Sequence, residues 1–199
     1  MIMRIPALRP LLGVLACASV FGLASCGGGQ SESTPDLPVL RDAPSFSCVN
    51  HDGGTVTQEA LAGRIWIAYF FFTSCSGPCP IMNSTANVLQ AEFSDMADLR
   101  IVGFTVDPDN DTVERLAAYA ERYHARAGRW YMLRTDTESV GSLAVDGFAM
   151  GDRTTPALHS TRFALVDRDG RVRGYFDGTD PKNVDELRAA IRALDRERG

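Results

Sequence analysis

Two stretches of the chain are apolar almost without interruption. Arg64-Ile65-Trp66-Ile67-Ala68-Tyr69-Phe70-Phe71-Phe72 and Leu99 to Val106 are rich in β-favouring residues and show little alternation, the pattern of strands covered on both faces. Between them the apolar period lengthens. Pro80 stands where a first helical turn tolerates proline, and Ile81, Val88, Leu89 and Phe93 recur at helical spacing, which predicts one apolar face. After the second strand, Asp111 or Thr112 is placed to cap another helix, whose stripe is Val113, Leu116, Ala117 and Ala120. Ahead of the first strand, Ser45 to Thr57 predicts a short hairpin. Phe46, Cys48 and Val49 lead into the turn residues Asn50-His51-Asp52-Gly53-Gly54, and Val56 follows.

The second half of the chain continues the alternation. Trp130 to Leu133 reads as a third strand, Glu138 to Phe148 as a short helix and Thr161 to Val166 as a fourth strand. Asp167-Arg168-Asp169-Gly170 turns the chain back into Val172 to Phe176, and a last helix carries Val184, Leu187, Ile191 and Leu194 on one side. A βαβ half followed by a ββα half, with helices on both faces of a central mixed sheet, matches the thioredoxin-like α/β arrangement, here with an N-terminal β-hairpin extension. With 199 residues and 45% of them hydrophobic, the chain has material for one well-buried core, so residues 45–199 are expected to form one domain.

Residues 1–25 carry a different pattern. Arg4 and Arg9 precede an uncharged apolar stretch from Leu11 to Ala24 that ends in small residues, as an export leader does, and the stretch is short of the roughly 20 residues a membrane span needs. Leu23-Ala24-Ser25-Cys26 resembles a bacterial lipobox, which implies cleavage before Cys26 and lipid attachment to it; an ordinary signal peptide cut near Ala24 is the alternative. Gly27 to Pro44, rich in Gly, Ser and Pro, reads as a flexible tether, so residues 26–44 would link anchor to fold. The expected location is the bacterial cell envelope, outside the cytoplasm. Twenty Lys and Arg against 25 Asp and Glu, with no long basic run, argue against a nucleic-acid partner.

The sharpest chemical feature is Thr73-Ser74-Cys75-Ser76-Gly77-Pro78-Cys79-Pro80, where a buried strand hands over to a helix. With Cys79 on the first helical turn and Cys75 in the loop before it, the two sulfurs can fold toward one another, to bond or to grip one ion. The donors at a helix start favour anions, so either thiol is expected to ionise more readily than a free one. A fixed structural disulfide is the plainer alternative, but a ring this short restricts an unfolded chain little. Of the three histidines, His51 sits in a polar turn and His124 near the end of the second helix, both read as surface positions. His159 immediately precedes the fourth strand, in a loop that a thioredoxin-like sheet runs beside the end of its first central strand, so it either faces the cysteines or is an ordinary loop residue. Cys48 reads as a small buried hydrophobe, a redox partner role being the alternative.

Phe72-Thr73-x-Cys75-x-x-x-Cys79-Pro80, Val106-Asp107-Pro108-x-x-Asp111-Thr112 with Leu116 and Tyr119, and His159-Ser160 before a strand together resemble the SCO/SenC copper-chaperone family over roughly residues 44–196. The resemblance implies a thioredoxin-like fold, membrane attachment, and copper held by Cys75, Cys79 and His159. Two soft thiolates and an imidazole suit Cu(I), and with an added oxygen ligand Cu(II). A structural zinc normally takes four protein ligands, and no fourth is evident. The same resemblance would bring Asp107 and Asp111 near the site, whereas locally they read as turn and cap residues. Leu158 stands where family members often carry an acid, which leaves any hydrogen bond to the imidazole from that position in doubt.

Two functions fit these residues. In one, the chain delivers copper to the copper-bearing subunit of cytochrome c oxidase, or to another periplasmic copper protein. In the other, Cys75 and Cys79 cycle as a thiol-disulfide pair and reduce the cysteines of the apo-oxidase subunit. A thiol peroxidase fits less well, because such enzymes usually place Thr three residues before the reactive Cys, and here Thr73 is two before Cys75.

Overall fold

In the computed structural model, residues 37–151 and 160–197 are described. The expected leader, Cys26 and His159 lie outside them. One eight-stranded mixed sheet organises the described residues. Its strands are β1 (Arg41–Asp42), β2 (Ser47–Asn50), β3 (Thr55–Thr57), β4 (Ile65–Phe71), β5 (Leu99–Thr105), β6 (Trp130–Arg134), β7 (Arg162–Val166) and β8 (Arg171–Asp177), in the order β1-β8-β7-β4-β5-β6-β2-β3. β4, β5 and β6 run parallel; β7 lies antiparallel to β4, and β2 antiparallel to β6. Four α-helices accompany the sheet: α1 (Pro78–Glu92), α2 (Val113–Arg122), α3 (Thr137–Ser142) and α4 (Pro181–Arg196).

The two faces of β4 explain its unbroken apolar pattern. Ile65, Ile67, Tyr69 and Phe71 enter one core layer with Met82 and Leu89 of α1, Leu116 and Tyr119 of α2, and Leu187 and Ile191 of α4. Trp66, Ala68 and Phe70 enter the other, against Phe46, Cys48 and Val56 of the hairpin and Val140 of α3. Every residue of β4 is buried, so side chains on both faces hold it and polar functional groups are pushed to its ends. The thioredoxin-like expectation is met, and the hairpin extends the sheet at one edge through β2–β6 pairing.

Three details depart from the sequence reading. Arg41–Asp42, inside the stretch expected as tether, pairs with Val172 and Arg171 as an edge strand, so the fold begins before the expected boundary at residue 45. The apolar face of α1 is rotated: Ile81 and Val88 are 52% and 50% exposed, while Cys79, Met82, Asn83, Ala86, Leu89 and Gln90 are buried. Two buried amides, Asn83 and Gln90, interrupt the apolar pattern of the inner face. The expected helix from Glu138 to Phe148 is α3 followed by a wider π-type turn over Leu143–Gly147.

Gly103 of β5 stands opposite Tyr69 of β4, and a Cβ added there would meet the Tyr69 ring at 2.7 Å. Gly103→Ala is therefore expected to lower stability by about 1–3 kcal/mol. Denaturant unfolding should show a lower midpoint with an unchanged slope.

Candidate metal centre

The site grows from the exit of β4. Val106 N–H donates to Phe71 O at 2.8 Å, closing the β4–β5 ladder, and the chain then leaves the sheet through residues 72–77 before α1 starts at Pro78. Cys75 N–H reaches back to Phe72 O at 3.3 Å, so a tight turn carries this cysteine toward the helix entrance. Cys79 is the second residue of α1 and is wholly buried, while Cys75 is half-buried against the same core layer. Their side chains hydrogen-bond to one another. The expected meeting of the two sulfurs is therefore present in the fold.

The expected ease of ionisation is not, for Cys79. Burial pushes its thiol up to about 12, contact with Cys75 pushes the same way, and a backbone hydrogen bond with Phe72 only partly opposes them. The helix start has little to offer in return. Pro78 and Pro80 carry no N–H, so two donors that a helix entrance usually presents to an anion are missing.

Below the thiols lies a satisfied polar network that the apolar pattern did not reveal. Asn83, buried one turn after Cys79, donates to Cys79 O at 2.8 Å and to Tyr119 Oη at 3.2 Å, and accepts from the Tyr69 hydroxyl at 2.7 Å. Trp130 Nε1 donates to Tyr69 Oη at 3.1 Å. The Tyr119 ring stacks on Phe71 with centroids 5.5 Å apart. Asn83 thus ties the first turn of α1 to β4, α2 and, through Tyr69, to β6.

The remaining candidates separate. Thr112, not Asp111, caps α2 by accepting from Arg115 N–H. Asp111 is buried and turned toward the thiol loop, where it accepts from Thr73; Asp107 lies in the same β5–α2 turn and accepts from Asn110. Cys48 is buried in the opposite core layer, as expected, its thiol pushed up to about 11 by burial. His124 is exposed just past α2 with φ of 56°, again as expected. His51 is half-buried rather than solvated: Nδ1 accepts from Met132 N–H at 3.3 Å, and burial lowers its pKa. Among the described residues no group of three His, Cys, Asp or Glu side chains is disposed to hold a metal. β7 pairs antiparallel with β4, Ala164 opposite Ala68, and this register carried forward brings the start of β7 level with the thiol end of β4.

Alkylation of the reduced chain with iodoacetamide near neutral pH should modify Cys75 well before Cys79, because Cys79 is both enclosed and protonated. Peptide mapping by mass spectrometry reads the order, and equal rates would contradict the burial described here.

Known proteins resemble the chain over most of its length. A SCO1 protein homolog of Bacillus subtilis is 28% identical over 192 residues, spanning 94% of this chain and 97% of that one. A protein of Stutzerimonas stutzeri named for copper binding is 31% identical, spanning 81% of each chain. Among solved structures, a SCO1/SenC family lipoprotein of Bacillus anthracis superposes with a TM-score of 0.70 at 28% identity over 80% of this chain and 96% of its own. BsSco, described as a member of the Sco family of cytochrome c oxidase assembly proteins with a disulfide switch, gives 0.69 at 28% identity over 79% and 96%. The SCO1/SenC family model itself matches residues 39–195, and the chain belongs to that family.

Proposed function

We propose that this chain is a copper carrier that takes up one ion between Cys75, Cys79 and His159 and delivers it to the dinuclear copper centre of a cytochrome c oxidase. The observation that carries the reading is the meeting of the two cysteine side chains at the entrance of α1. Two sulfurs in contact, on a short loop and a first helical turn, are a soft chelating pair suited to Cu(I), and a site with few protein ligands leaves a side open for handing the ion on. Support comes from the relative named for copper binding and from BsSco's place among oxidase assembly proteins. The start of β7 beside the end of β4 supports His159 as the third donor.

In the same reading the chain is exported, cleaved after residue 25 and held by a lipid on Cys26 at the periplasmic face of a membrane. The lipobox-like tetrad supports this, as does the lipoprotein relative of Bacillus anthracis. No helix among the described residues is long and apolar enough to cross a membrane. Confinement by a lipid and a short tether raises the local concentration of the carrier at a membrane enzyme.

A second reading is favoured by one specific observation. The cysteines are thiols in mutual contact, the geometry from which a disulfide forms, so the pair is also suited to reducing the cysteines of an apo-oxidase subunit. One substitution separates the two. Anaerobic Cu(I) titration of the reduced chain should find one ion per chain, lost in Cys75→Ser, Cys79→Ser and His159→Ala, with His159→Ala keeping its dithiol exchange. Undiminished copper affinity in His159→Ala would remove the imidazole from the site, and no uptake by the parent chain would leave only the redox role.

Copper binding should also strengthen with pH. Cys79 holds its proton through the neutral range and must release it to bind, so affinity is expected to rise about tenfold per pH unit for each proton displaced. Competition titrations between about pH 6 and pH 8 measure the slope, and a flat profile would mean the buried thiol is not a ligand.

A further inference from the structure

The β4–β5 ladder ends at the bond from Val106 N–H to Phe71 O, and beyond it the loop that carries Cys75 has left the sheet. The next tie comes from the side. Asp111 is wholly buried, and its carboxylate receives three donors: Thr73 N–H at 3.0 Å and the Thr105 hydroxyl at 2.5 Å on Oδ2, and the Thr73 hydroxyl at 2.5 Å on Oδ1. Thr105 Oγ1 in turn accepts from Asp107 N–H at 3.1 Å, and Asp111 N–H donates to Asp107 O at 2.9 Å, so the turn presenting the carboxylate is itself braced. Both hydrogen-bond donors of Thr73, two residues before Cys75, are engaged by one side chain contributed from another loop.

A carboxylate taken out of water is costly unless its oxygens are filled, and here they are filled by the segment that positions a thiol. The geometry points to Asp111 as a positioning residue for the dithiol: through Thr73 it fixes the course of the loop, and so the distance from the Cys75 sulfur to the buried Cys79 sulfur. The clamp acts on the two sulfurs through Thr73 and the loop. It raises their effective concentration toward each other by removing loop freedom in advance, which favours both the disulfide and a shared metal ion. The metal half of this rests on the copper reading; the disulfide half does not.

The test uses the full chain and two readouts. One is the dithiol–disulfide equilibrium of Cys75 and Cys79 in glutathione buffers, and the other is Cu(I) affinity by competition. Asp111→Asn and Thr73→Val should each lower the disulfide-forming equilibrium constant about tenfold, a rise in reduction potential of about 30 mV, and weaken Cu(I) binding by a similar factor. Thr73→Ser, which keeps the hydroxyl, should restore both. The labelling rate of buried Cys48, in the opposite core layer, reports general opening of the fold and should not change. An unchanged equilibrium in folded Asp111→Asn and Thr73→Val would overturn the assignment. So would a change matched by faster Cys48 labelling, which marks a loss of fold rather than of position. If Asp111→Asn does not fold, the comparison of Thr73→Val with Thr73→Ser decides. If the parent binds no copper, the copper reading fails while the redox equilibrium still tests the clamp.

Discussion

The burial of β4 on both faces is the constraint from which the site follows. A strand whose every side chain is enclosed leaves no room for reactive groups along its length, so chemistry collects where the strand ends and the chain must turn into α1. At that point the core layer beneath the sheet is still present. Cys79 therefore enters the helix already enclosed, in contact with the same layer as Met82 and Leu89, while Cys75 remains on the outer side of the turn. The inequality of the two thiols is a direct result of where the apolar layer stops.

Two polar devices convert that geometry into a defined pair. Asn83 secures the helix side by binding Cys79 O and two tyrosine hydroxyls, and Asp111 secures the loop side by binding Thr73. Both are buried, and both bridge elements distant in sequence. A buried group of this kind stabilises only when its whole hydrogen-bonding capacity is used, so each fixes one arrangement of its neighbours rather than a range of them.

The strands and their order were legible in the residues because period and composition are local: the runs in β4 and β5, the hairpin turn and the stripe of α4 need no knowledge of what they pack against. The Cys75–Cys79 spacing was legible for the same reason. What escaped depends on partners. The two-residue β1 has no pattern of its own and exists through β8. The inner face of α1 includes Asn83 and Gln90, each satisfied by bonds to residues far along the chain, so counting apolar letters selected Ile81 and Val88 instead. Asp111 looks like a cap in sequence because its true donors, Thr73 and Thr105, belong to other elements. Cys79 keeps its proton because enclosure outweighs the general preference of a helix start for an anion, and enclosure depends on what the helix packs against.

The two prolines at the start of α1 carry a last consequence. An entrance short of two N–H groups does little to shelter bare negative charge, so the enclosed sulfur is at ease holding its hydrogen, bonded to its neighbouring sulfur, or facing a cation that supplies the missing positive partner. The reduced pair therefore meets stray oxidants unequally: the inner sulfur is seldom a thiolate, so attack falls first on the accessible outer one. Whatever partner takes the hydrogen off has to bring the compensating charge with it.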